Sequence, residues 1–265
     1  MSNLNPIKLA FECFGETTKP PLIILHGFFA SSRNWRGIAK QLAKNYQVYV
    51  LDLRNHGDSP HAQTMSYLEM AADVAEFISH HQLNSAIIIG HSMGGKVAMI
   101  LALTQPQIIK QLIVVDIAPI SYQHSFNETI KALKLIPLKM INNRRQAETY
   151  LIDGIPEASS RQFLLQNLQL KEGEYQWRID LKFFETASVI IPTFPSLNNS
   201  VPFNQPVLFI FGENSTFFTE TLEQQISPLF PQATIKTLAE AGHWLHAEKP
   251  VEFIAIVDSF LGARV

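Results

Sequence analysis

Apolar residues along this chain collect in short runs, and longer amphipathic stretches lie between the runs. Leu22 to Leu25, the segment 46–53, Ala86 to Ile89 and Leu112 to Val115 have the pattern of strands covered on both faces. Residues 7–15 read as a first strand, one member of an antiparallel pair at the sheet edge. Counted with that partner, the strand ending at Val115 is the sixth. Helical periodicity fills the gaps over 32–44 and over 66–81, where Leu68, Ala71, Ala72, Ala75 and Ile78 share one side. It recurs through Lys96, Val97, Met99, Ile100 and Leu103. Alternating strands and helices predict a mostly parallel central sheet with helices on both faces.

After Pro119 the alternation stops. Helical stretches are expected near 143–153, 157–169 and 180–190, and Ser125-x-x-Glu128 has the form of a capping box opening an earlier one. Strand and helix resume with Val207 to Phe211, a helix near 217–229, a strand near 233–238 and a last helix at 250–261. The chain therefore divides into a core, 1–120 and 200–265, and a helical insertion, 121–199. An insertion at that point sits over the carboxyl ends of the strands, where open parallel sheets bind ligands. It has the look of a lid. Of its apolar residues, Leu133, Ile136, Leu138, Met140, Phe163, Leu164, Phe183 and Phe184, most are expected to form its own core and a few to face a ligand.

Composition narrows the function classes. The chain has 265 residues, 46% apolar and 17% charged, with a formal net charge of −2. That is a globular protein without the basic face of a nucleic-acid binder or a Lys/Arg run suited to anionic lipid. The one cysteine, Cys13, excludes an internal disulfide and reads as a buried, inert thiol in the first strand. The opening residues lack a basic region followed by an apolar one, and the longest uncharged stretch, 187–212, is broken by prolines. A cytoplasmic protein without stable membrane insertion is the expectation.

Candidate chemistry begins at Gly90-His91-Ser92-Met93-Gly94, where an apolar run gives way to a helical pattern. Strand, turn and helix with Ser at the apex is the context of a nucleophile elbow. A Ser hydroxyl needs a base to take its proton and an acid to orient that base. In an elbow fold the partners follow in the order Ser, Asp or Glu, His. His243, in Ala241-Gly242-His243-Trp244 just past the last strand, is the expected base. His26 and His91 flank the oxyanion loop and the elbow and read as supporting hydrogen-bonders. No H-E-x-x-H spacing implies a metal. Lys96 follows Gly94-Gly95 without phosphate-loop spacing and reads as a plain helix lysine.

The acid ordinarily follows the next-to-last strand, as an Asp three residues after a Gly. Here that loop is Gly212-Glu213-Asn214-Ser215, with Ser215 in the acid's place. Asp116, at the tip of the preceding parallel strand, is preferred, because an unpaired buried carboxylate is costly and is seldom there for packing. Glu213 is the rival. The oxyanion needs main-chain donors, expected from Phe28 and Met93. Their side chains, with Trp244, are expected to line the substrate pocket.

These residues resemble a known family. His26-Gly27, Asp52-x-Arg54-x-x-Gly57-x-Ser59, the Gly90 to Gly94 elbow and Gly242-His243 are similar to the α/β-hydrolase superfamily over the whole chain. Arg54-Asn55-His56-Gly57, Gly94-Gly95-Lys96, Asp116-Ile117-Ala118-Pro119, Trp177-Arg178 and His243-Trp244-x-His246-Ala247-Glu248-Lys249-Pro250 narrow the resemblance to the YbfF-type esterases. That family also carries Asn-Ser where Asn214-Ser215 stand, which favours Asp116. The resemblance implies an α/β-hydrolase fold with a helical cap. It also implies a Ser-His-Asp triad and hydrolysis of short-to-medium acyl esters, with acyl-CoA thioesters as further candidates and no cofactor. Dehalogenases and epoxide hydrolases place Asp at the apex, so Ser92 excludes them. Carbon–carbon bond hydrolases, cofactor-free peroxidases and hydrolase-fold receptors stay open, as does the oligomeric state.

Overall fold

The computed structural model describes residues 4–197 and 201–262. The strands are β1 (Phe11–Phe14), β2 (Pro21–Leu25), β3 (Gln47–Leu51), β4 (Ala86–His91), β5 (Ile109–Val115), β6 (Leu168–Lys171), β7 (Glu174–Trp177), β8 (Val207–Gly212) and β9 (Ala233–Leu238). Seven of them form one sheet in the order β1-β3-β2-β4-β5-β8-β9. All neighbours are parallel except β1, which runs antiparallel to β3 with Phe11 opposite Leu51.

The period of two along each central strand feeds two separate cores. In β4, Ile88 faces one core with Leu112 and Val114 of β5. Its neighbours Ile87 and Ile89 face the other with Ile113 and Val115. The first core is covered by α2 (Tyr67–His80) and α3 (Met93–Thr104). The second is covered by α1 (Arg36–Leu42) and α10 (Pro250–Gly262), through Ile38, Leu42, Phe253 and Val257. Each fully buried Ile, Leu or Val contributes about 1.5–3 kcal/mol.

Helix α2 shows how local signals set a boundary. Ser66 Oγ accepts from the Glu69 amide while the Glu69 carboxylate accepts from the Ser66 amide, a capping box. The buried face is Tyr67, Met70, Ala71, Val74, Phe77 and Ile78. It is rotated from the expected one, and Leu68 is exposed because the bulkier 67/70/74/77 stripe takes the core.

Between β5 and β8 the chain forms α4 (Asn127–Lys134), α5 (Arg144–Thr149), α6 (Ala158–Leu164), the β6–β7 hairpin and α7 (Leu181–Ala187). After β8 come α8 (Leu222–Ile226) and, past β9, α9 (Leu245–Glu248) before α10. Several expectations are corrected here. The edge contributes one strand, so the insertion follows the fifth strand, not the sixth. Beside its helices the insertion holds an unforeseen hairpin, in which β6 pairs with β7. The Ser125 box does not form: α4 starts after Phe126, and Ser125 Oγ accepts only from the Asn127 amide. Cys13 is exposed, because β1 is an edge strand. The expected end of the insertion at 199 lies outside the described residues. No helix among the described residues is long and apolar enough to cross a membrane.

Candidate active site

Ser92 stands between β4 and α3 with φ 52° and ψ −117°. A non-glycine residue there stores roughly 1–3 kcal/mol of strain, which the surroundings must offset. Its amide donates to Val115 O at 3.0 Å and its carbonyl accepts from the Lys96 amide at 3.1 Å. Both bonds anchor the turn to β5 and α3. Gly90 is required by the same turn: a Cβ there would lie 2.3 Å from the Gly94 carbonyl oxygen. Gly27 allows the other close approach, since a Cβ on it would come 3.3 Å from Ser92 Cβ. The loop bearing Phe28 therefore lies beside the hydroxyl. Met93 opens α3, where a backbone N–H has no acceptor within the helix.

Asp116 sits at the tip of the adjacent strand, fully buried, with φ 55°. Its amide donates to Ile210 O at 2.8 Å, which fixes the turn. Its carboxylate is satisfied from three sides. Oδ1 accepts from the Gly212 amide at 2.9 Å, and Oδ2 accepts from the Ser215 hydroxyl and from His243 Nδ1 at 2.6 Å. A buried charge with three donors avoids the desolvation penalty that would otherwise expel it. Glu213 is elsewhere: it is exposed and caps the Glu240 amide at 2.9 Å.

The His243 loop is held by its neighbours. Glu248 accepts from the Gly242 amide at 2.6 Å, and His91 Nε2–H donates to the His243 carbonyl at 2.9 Å. The ring of Phe217 lies 4.7 Å from the imidazole. Burial holds the other nearby histidines neutral. It pushes His91 and His56 well below the usual value and His246 down to about 3. His246 stacks on Trp35 at 3.9 Å, and His26 donates to Gly27 O and accepts from the Leu53 amide.

Ser92 and His243 open into one cavity of about 710 Å³. Phe28 and Trp244 lie on its wall. Met93 does not: its side chain is buried in the core under α3, because the first helical residue points back into the sheet, so only its amide is left to serve the site. From the insertion, Phe126, Ile155, Phe163 and Leu164 supply apolar wall and Thr129, Ser159, Gln162 and Gln166 a polar one. Leu133, Ile136 and Phe184 are core, and Met140 is exposed. No Lys or Arg lines the cavity, and Glu248 is its one carboxylate among the described residues. Among the described residues no cluster of His, Cys, Asp and Glu could hold a metal.

Ser215, Phe217 and Glu248 were not singled out from the sequence as parts of the site. The first had a readable signal, a small hydroxyl residue in the acid's usual place.

Comparison with known proteins identifies the fold and its relatives. A family model described as the alpha/beta hydrolase fold matches residues 20–250. The mouse sn-1-specific diacylglycerol lipase ABHD11 is 38% identical over 98% of this chain and 87% of its own length. Esterase YbfF of Escherichia coli K12 is 31% identical, covering 91% and 92%. A solved structure of a marine microorganism esterase superposes with a TM-score of 0.91 at 42% identity, covering 96% of this chain and 99% of that one.

Proposed function

The chain belongs to the α/β-hydrolase family, and we propose that it hydrolyses carboxylic esters through an acyl-enzyme on Ser92. Names carried by the relatives, a lipase and an esterase, support ester hydrolysis. The observation that carries the mechanism is the buried Asp116 carboxylate bonded to His243 Nδ1 at 2.6 Å, at the same sheet edge as the strained Ser92.

In this reading Nε2 of His243 takes the Ser92 proton as Oγ attacks the acyl carbon. Asp116 stays ionised, fixes the tautomer and stabilises the imidazolium. The Phe28 and Met93 amides receive the oxyanion. His243 then protonates the leaving alcohol, and water releases the acid by the reverse sequence. Residues 121–199 act as a cap over the 1–120 and 200–265 core, and the cap closes the acyl pocket with Phe28 and Trp244. A cavity to which the described residues bring no Lys or Arg suits neutral esters of short-to-medium acyl chains better than the charged phosphates of an acyl-CoA.

A fluorophosphonate probe should label the protein at Ser92. Ser92→Ala should abolish both labelling and ester hydrolysis with the circular-dichroism spectrum unchanged. Labelling at another residue, or activity retained in the variant, would refute the serine mechanism.

A further inference from the structure

Helix α3, which follows Ser92, carries one ammonium group into the interior. Lys96 is 1% exposed. Its Nζ donates to Pro192 O and Thr193 O, both at 2.7 Å, with a longer bond to Ile191 O at 3.4 Å. The Tyr122 ring lies 5.1 Å and the Tyr67 ring 5.7 Å from the same nitrogen. Every one of the carbonyls belongs to the segment by which the insertion returns to the core. The outgoing segment is bound to it there: the Tyr122 amide donates to Pro192 O at 2.9 Å and the Phe194 amide to Ser121 Oγ at 2.9 Å. Tyr67 OH adds a bond to Ile191 O at 2.6 Å.

A buried ammonium without a carboxylate partner is expensive unless something replaces its water. Here the replacement is the return stem itself, so the charge and the stem need each other. We propose that Lys96 is a positioning residue that ties the stem of the insertion to the helix of the nucleophile, and so sets how the cap closes over the acyl pocket. This rests on the reading of 121–199 as a cap. Burial also pushes the Lys96 pKa down to about 7, and the ionisable groups facing it are the Tyr67 and Tyr122 phenols, both themselves pushed up by burial.

The test compares Lys96→Met and Lys96→Arg with the wild type by hydrogen exchange and by kinetics. In Lys96→Met, the amides of residues 120–122, 190, 191, 193 and 194 should exchange at least about tenfold faster, while those of β4 and α10 are unchanged. KM for a hexanoate ester should rise about tenfold, and kcat for an acetate, with its much shorter acyl group, should change by less than about threefold. Lys96→Arg keeps a cation and its donors, and should recover stem protection. Unchanged stem exchange in Lys96→Met, or equal KM shifts for both esters, overturns the proposal. Exchange needs no substrate, so this failure is distinct from failure of the esterase reading. Should Lys96→Met not fold, the wild type decides. A tied ammonium gives a resolved, slowly exchanging 1H–15N signal at pH 5.5, and a signal lost to solvent exchange overturns the tie.

Discussion

The Ser215 hydroxyl donates to the same Asp116 oxygen that accepts from His243 Nδ1. The residue in the acid's usual place thus donates to the carboxylate proposed above as the acid, at the tip of the neighbouring strand. One loop and one strand tip share a single function, and the two carry different predictions.

Asp116→Asn should lower kcat by on the order of ten-thousand-fold, because an amide there favours the wrong imidazole tautomer. Glu213→Gln should cost tenfold or less, since Glu213 bonds only the Glu240 amide. Steady-state kinetics on one p-nitrophenyl ester decide between them. A larger loss in the Glu213 variant would reverse the assignment.

Ser215→Ala removes one of two donors on Oδ2. A hydrogen bond to a charged group is worth roughly 1.5–3 kcal/mol, so kcat/KM should fall by about ten- to a hundredfold if most of it acts in the transition state. An unchanged rate would make Ser215 a packing residue only.

Acyl-chain preference should follow the cavity. Each methylene buried against Phe126, Ile155, Phe163 or Leu164 should add about 0.8 kcal/mol, close to fourfold in kcat/KM, until the space is full. Activity should then fall, and acyl-CoAs should turn over more slowly than neutral esters of equal length. A flat profile from two to sixteen carbons would indicate an open groove.

Stability should depend on pH in two windows. His56, His91 and His246 have folded pKa values below the ordinary 6.5, so the unfolded chain binds more protons below that pH. Their contribution is present above pH 6.5 and is lost on acidification, with a slope approaching about 1.4 kcal/mol per unit for each histidine. Lys96, lowered from 10.5 to about 7, acts higher up: stability gains as pH rises between those values. Urea midpoints across pH 4–10 would show both slopes, and Lys96→Met should erase the second.

The elbow was legible because each level of the sequence agreed. An apolar run, two glycines around a Ser and a helical pattern all lead to the turn that forms. Asp116 was legible by contrast with Ser215 in the usual position. The β6–β7 hairpin was missed although its turn is written in the chain: Glu172 and Gly173 both have positive φ, 53° and 85°, as a two-residue hairpin loop requires. Its strands are short and mostly polar, so periodicity alone could not separate them from helix. Lys96 stands on a helix as read, but its burial escaped the sequence for another reason. Its neighbours on α3 are buried all round, so the lysine had to be buried too, but its partners are backbone carbonyls from residues 191–193, which no pattern of side chains reveals.

The chain order of the sheet has a consequence for taking the protein apart. Strands β1 to β5, which carry Ser92 and Asp116, are contiguous in space as well as in sequence, and β8 and β9, which lead to His243, complete one edge. A cut within the insertion would therefore divide the sheet along the single β5–β8 seam without separating interleaved strands. One fragment would hold the proposed nucleophile and acid, the other the proposed base. With the proposed triad divided in this way, each piece alone should be silent, and activity should return only when the pieces are brought together.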